Sequence, residues 1–158
     1  MLELLAVIAI MAILASIAIP GFGYLAASTK VKNAATDVYL AMIRARSESV
    51  KRNRAVAVVA TSGNAGNWGA GWQIIADGNN DGDFLDVGAD DDRLIIEQGV
   101  VKRVAISMAA NTVIFRPTGR VSGAAPNFDV KSEDAQYPLE RCVSTDLTGR
   151  PYVKPEAC

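Results

Sequence analysis

The chain has 158 residues, half of them apolar, with 16 basic and 17 acidic side chains and a net charge of −1. That is one domain's length, enough to bury a core, and the balanced charge excludes a global field aimed at nucleic acid or an acidic surface. There is no His anywhere. This removes the commonest general base, the Ser–His and Cys–His nucleophile pairs and the commonest transition-metal ligand. No nucleophile motif, phosphate loop or pair of acids in an apolar setting takes their place, so an enzyme is not expected.

The charges are unevenly placed: none lies between Glu3 and Lys30. A run of about 25 uncharged, mostly apolar residues is long enough to cross a hydrocarbon core of ~30 Å as a helix. A secretory signal peptide is the rival reading, but it would carry a basic region ahead of the run and a cleavage site after it. Here Glu3 precedes the run and no Lys or Arg does. The pattern also continues, from Ser28 to about Lys51, as a polar helix with Val31, Ala35, Val38, Met42 and Ala45 along one face. Such an element, roughly 50 residues long, is far more than a globular body covers by itself. Three segments are therefore expected: an apolar half at 1–27, an amphipathic half at 28–54 and a β-rich head at 55–158.

Two features of the apolar half stand out. A carboxylate at Glu3, in or near the apolar phase, costs about 2.5–3.5 kcal/mol and calls for a partner. An α-amino group, its own or a neighbouring helix's, would serve; solvation at headgroup level is the alternative. Pro20 lacks an N–H and clashes with the preceding turn, so with Gly21 and Gly23 beside it the helix is expected to kink or unwind there.

In the head the period changes from 3.6 to 2. Runs at 55–60 (AVAVVA), 72–76 (WQIIA), 94–97 (LIIE), 100–106 and 112–116 (TVIFR) are bounded by Gly, Asn, Asp or Pro and predict strands. Residues 128–130 and 141–144 are weaker candidates, and 62–70 reads as the longest flexible loop. Strands gathered after one long helix predict an α+β fold, with an antiparallel sheet packed on the helix.

Three polar features carry open readings. Asp77, Asn79, Asp81, Asp83 and Asp86 place oxygen ligands at alternate positions, as a calcium loop does, but Gly88 stands where a bidentate Glu belongs. The alternative is a solvated Asx/Gly turn, although seven Asp within 77–92 repel one another and a divalent cation would relieve that. The basic run Arg44, Arg46, Lys51, Arg52 and Arg54 complements a helix C-terminus; ion pairs to the Asp-rich loop of another subunit are its alternative. Cys142 and Cys158 would be free thiols in a cytosolic protein and a disulfide closing the C-terminal tail in an exported one. The N-terminal segment argues for export.

Residues 1–15 (MLELLAVIAIMAILA), with Pro20 placed 17 residues after Glu3, resemble the mature N-terminus of type IV pilins and pseudopilins. The resemblance implies that Met1 stands at the third mature position, with a leader, its cleavage-site Gly and a methylated first residue ahead of it. It implies that Glu3 neutralises the N-terminal amine of an adjacent subunit and sets the axial register. It also implies an extended stretch at 11–19 in an assembled filament, with Pro20 and Gly21 at its end. The head resembles the GspH/FimT-like branch through 45–52 (ARSESVKR), 68–72 (WGAGW), 114–120 (IFRPTGR) and the closing Cys142, 148–150 (TGR) and Cys158.

The implied function is structural: a subunit held in the bacterial inner membrane and then built into an extracellular helical filament. Its partners would be copies of itself, other pilins and the pilus assembly machinery. A minor or tip pilin and a type II secretion pseudopilin are the alternatives. No cofactor is implied beyond the calcium question. Some members of this branch bind DNA through a Gly-Arg-x-Arg stretch; here Gly149-Arg150 is followed by Pro151-Tyr152, so Arg150 stands without the second Arg and DNA binding is not expected.

Overall fold

The computed structural model describes the backbone of residues 2–84 and 92–158, and the side chains of those residues except 2 and 16–21. One helix, α1 (Leu2–Arg52), precedes nine strands: β1 (Val56–Ala60), β2 (Trp72–Ala76), β3 (Arg93–Gln98), β4 (Val104–Ser107), β5 (Thr112–Phe115), β6 (Val121–Ser122), β7 (Asn127–Ser132), β8 (Glu140–Thr145) and β9 (Pro151–Lys154). The strands form two antiparallel sheets rather than the single one expected. Their orders are β3-β2-β1-β5-β6 and β4-β7-β8-β9.

At about 1.5 Å per residue, the 51 residues of α1 span roughly 75 Å. The buried face lies in the C-terminal half. Val31, Ala35, Val38, Met42 and Ala45, the face read from the sequence, are all buried, joined by Ala27, Ala34 and Ala41. Five of these eight are Ala, so the helix axis lies close to the strands without opening voids. The helix stops in a Schellman motif: Asn53 takes a left-handed φ of 51°, its N–H reaches the Val50 carbonyl, and the Arg54 N–H reaches that of Ser49.

The helix assignment is unbroken across Pro20, so the unwinding expected there, and the extended stretch at 11–19, are not present in this isolated chain. Proline removes one hydrogen bond of the ladder, and both flanking segments remain helical. Among the described residues no helix is long and apolar enough to cross a membrane.

Trp68 sits between the sheets. Its indole N–H donates to the Ala110 carbonyl at 2.9 Å, and its ring meets Phe128 of β7 edge-to-face at 4.9 Å. The segment read as a flexible loop therefore ends in a buried 3₁₀ turn, Trp68–Ala70, that ties β7 to the chain ahead of β5. The run at 100–106 becomes strand only at β4; before it the backbone turns through Arg103 at φ 63°.

Candidate functional site

The face of α1 turned away from the head carries a second stripe that the sequence reading did not isolate. Positions 22, 26, 29, 33, 36, 40, 43, 47 and 50 alternate steps of four and three, contain no charge, and are all exposed. That is the 3.5-residue spacing with which a helix meets another helix. Leu40 and Val50 are 52% and 54% exposed in the middle of an otherwise well-packed head. Further toward the N-terminus, Leu4, Leu5, Val7, Ile8, Ile10, Met11, Ile13 and Leu14 are exposed on every side of the helix.

Two grooves flank this stripe, sharing Ile43 and Ser47 as the ridge between them. Toward β3, an apolar cavity of about 490 Å³ lies between Leu40 and Ile43 of the helix and Trp72, Ile74 and Ile96 of the sheet. Toward β9, a groove of about 760 Å³ is lined by Tyr39, Val50, Arg46, Lys51, Arg150 and Pro151. Three cations and no carboxylate line it. The first groove is bounded by β2 and β3 and the second by the start of β9, one on each side of the Ile43–Ser47 ridge.

The basic groove is built by two turns of one design. In the first, Arg116 N–H donates to the Arg120 carbonyl and Gly119 N–H to the Arg116 carbonyl. In the second, Asp146 and Arg150 repeat the first bond, and Gly149 and Asp146 the other. Both carry a left-handed glycine, Gly119 at φ 74° and Gly149 at φ 85°, as hairpins of this length require. The turns stack: a Cβ on Gly149 would lie 2.0 Å from the Gly119 carbonyl oxygen and 3.3 Å from Cδ of Arg46. The two Thr-Gly-Arg stretches and the Arg46 between Ala45 and Ser47 are thus parts of one packing unit. Asp146 anchors the second turn, accepting from the Thr148 hydroxyl at 2.6 Å and the Arg150 N–H at 2.9 Å. Those hydrogen bonds hold its carboxyl below the usual carboxylate range.

The residues singled out from sequence are distributed as follows. Glu3 is exposed in the first turn of α1, where its charge complements the helix dipole. Pro20 and Gly21 lie in the helical backbone, and their side-chain environment is outside the description. Cys142 and Cys158 are joined, with Cα atoms 4.9 Å apart. Arg150 joins Arg46 and Lys51 in the basic groove. The basic run is split: Arg44 lines the apolar cavity, Arg52 pairs with Glu48 at 2.7 Å, and Arg54 donates to the Gly78 carbonyl at 2.7 Å.

In the Asp-rich loop, Asp77 is buried and accepts the N–H groups of Asn80 and Gly82. Asn79 accepts from Asp81 N–H at 3.1 Å, and Asp81 from Asp83 N–H at 2.8 Å. Asp86 lies outside the described residues, as do Asp90 and Asp91. Among the described residues no three His, Cys, Asp or Glu side chains are grouped so as to hold a metal ion.

Residues 34–149 match the family described as type II transport protein GspH. Two solved structures of the type IV minor pilin FimU of Pseudomonas aeruginosa (strain PAO1) share the fold. One is 16% identical over 83% of this chain and 94% of that one, with a TM-score of 0.64. The other, in a second crystal form, is 17% identical over 80% and 96%, with a TM-score of 0.61. No curated protein matches the chain.

Proposed function

The chain belongs to the GspH family of type II transport proteins, and on that premise we propose that it is a structural subunit of a pilus or secretion-pseudopilus filament, not an enzyme. The apolar third of α1 would hold it in the inner membrane before assembly, and the same surface would pack among neighbouring helices afterwards. The observation that carries this reading is the surface of α1 left uncovered by its own head: apolar on all sides near the N-terminus, then an uncharged 3.5-residue stripe beside the head. A helix that buries only one face on its own body leaves the other for a partner. The role needs no cofactor.

The test is incorporation. The full chain, produced with its assembly machinery, is expected in the membrane fraction and in filaments sheared from cells. Ile43→Glu should leave the head folded and remove the chain from filaments, because the charge falls on the ridge of the stripe. A chain missing from both fractions, or an Ile43→Glu variant incorporated as well as the parent, defeats the proposal. A minor place in the filament, the role named for the solved relatives, is the second reading; copies per filament length separate it from an abundant one.

A further inference from the structure

We propose that the basic groove formed by Arg46, Lys51 and Arg150 is a subunit contact that receives residues 79–83, the acidic stretch after β2, of a second copy of this chain. The inference deepens the filament reading and rests on it.

The groove's composition sets the chemistry of its occupant. Three cations converge with the Ser47 and Val50 positions of the uncharged stripe, and among the described residues none of the three has an ion-pair partner. An occupant must therefore bring carboxylates on a short, exposed segment. The chain carries one itself: Asp81 and Asp83 are exposed on the β2–β3 loop, and among the described residues no cation lies within ion-pair distance of Asp81. Hydrogen bonds from the Asp81 and Asp83 N–H groups hold residues 79–83 in shape, so this stretch presents a preformed acidic edge.

Within one molecule no ion pair joins Asp81 to the groove, which leaves the pairing to two molecules. The groove opens beside β9, whereas the loop enters β3, which lines the groove on the other side of the Ile43–Ser47 ridge. The loop leaves the body beside Ala55, whose carbonyl accepts the Asp77 N–H at 3.0 Å. Ser47, in the middle of the groove, lies roughly 8 Å back from the last helical residue, Arg52, at about 1.5 Å per residue. A neighbour beside the molecule and displaced by about that distance puts its loop level with the groove. Two different, complementary patches with an axial offset make a heterologous contact that does not close, which generates a helical polymer. Duplex DNA, the other polyanion three cations could meet, does not account for the exposed acidic edge that the chain itself carries.

The experiment is zero-length carbodiimide cross-linking of filaments assembled from the full chain, followed by mass spectrometry of the linked dimer. An amide between Lys51 Nζ and the Asp81 carboxyl across two chains is expected. Lys51→Glu or Asp81→Lys alone should lose the link and lower filament yield, and the two together should restore yield. Both positions are exposed, and oxidised Cys142–Cys158 with an unchanged melting temperature verifies folding of each variant. Filaments that contain the chain but give no such link, or whose yield the exchange does not restore, overturn the inference while leaving the filament role standing. A groove that instead retains duplex DNA in a salt-dependent gel shift, with no link formed, overturns it too. Absence of the chain from filaments refutes the filament role itself.

Discussion

Tyr137 of the head lies against Gly23 of the helix: a Cβ on that glycine would sit 2.5 Å from the tyrosine hydroxyl and 2.9 Å from its ring. The ring also meets Tyr24 edge-to-face at 6.2 Å. The head thus reaches down the helix to a point three residues past Pro20, and Gly23, read from sequence as part of a hinge, is a seat. Gly→Ala in a helix gains about 1 kcal/mol, but here the new methyl displaces an aromatic contact worth roughly 0.5–1.5 kcal/mol. Gly23→Ala should therefore leave the melting temperature nearly unchanged. The diagnostic is coupling: Tyr137→Ala should destabilise the parent and have little further effect in the Gly23→Ala background, measured as a double-mutant cycle. Additive effects would show that the two residues do not touch.

The head of α1 was legible because burial on one side imposes a period, and Val31, Ala35, Val38, Met42 and Ala45 obey it. Strands β1, β2, β3 and β5 were legible for the same reason, as runs whose ends are marked by Gly, Asn or Asp. What the period cannot give is which strands join which sheet, since it reports burial and not partners: β1 and β8 are both mostly buried yet belong to different sheets. Strand β9 was missed because only Pro151 is even half-buried in it. Of the groove, Arg150 was visible as a residue and Arg46 as a motif, but the stacking of two glycine turns that brings them together is a contact between segments far from Arg46 in sequence. The uncharged stripe was readable in principle: once the buried face is assigned, the remaining positions without charge keep a 3.5-residue spacing of their own.

Acid should weaken the upper end of the helix. Arg52 Nε donates to Glu48 at 2.7 Å, and that bond, opposed by desolvation and helped by Lys51, Arg52 and Arg44, holds the Glu48 carboxyl below its ordinary value. A depressed carboxylate contributes stability that is present above the unfolded-state value and is lost as pH falls through the folded one. An i, i+4 pair of this kind contributes about 0.3–0.5 kcal/mol. Glu48→Gln should therefore melt slightly below the parent at neutral pH, with the gap closing toward pH 3. A gap that persists or widens in acid would assign the loss to packing, not to charge.

The C-terminal strap should be worth more than any single ion pair. Cys142 is buried in β8 and bonded to Cys158 across a separation of 16 residues; a loop of that length is worth about 3 kcal/mol through the unfolded chain. The Cys158 N–H also reaches Asp129 at 3.0 Å. With 1 kcal/mol shifting a head of this size by roughly 4–8 °C, reduction or Cys158→Ser should lower the melting temperature by more than about 10 °C. Cys142→Ser should do worse, because it leaves a hydroxyl at a 1% exposed site. Equal effects would mean that the strap acts only through chain entropy.

The described part of the Asp-rich loop, residues 77–84, is held by its own hydrogen bonds, and its two sequence readings are separable by experiment. Asp77 is buried and accepts two backbone N–H groups, from Asn80 and Gly82, while Asp92 accepts that of Gly78 at 3.1 Å. Asp77→Ala leaves two donors to find water, and an unsatisfied buried group costs about 1–3 kcal/mol, so this variant should melt distinctly lower. A loop organised by calcium would respond to the ion as well: ligand at 100 times its dissociation constant adds about 2.7 kcal/mol, a shift no melting curve would miss. The self-satisfied turn should melt at one temperature in chelator and in millimolar calcium. A clear rise with calcium, abolished by Asp77→Ala, would show instead that the carboxylates hold a cation and that the hydrogen bonds alone do not suffice.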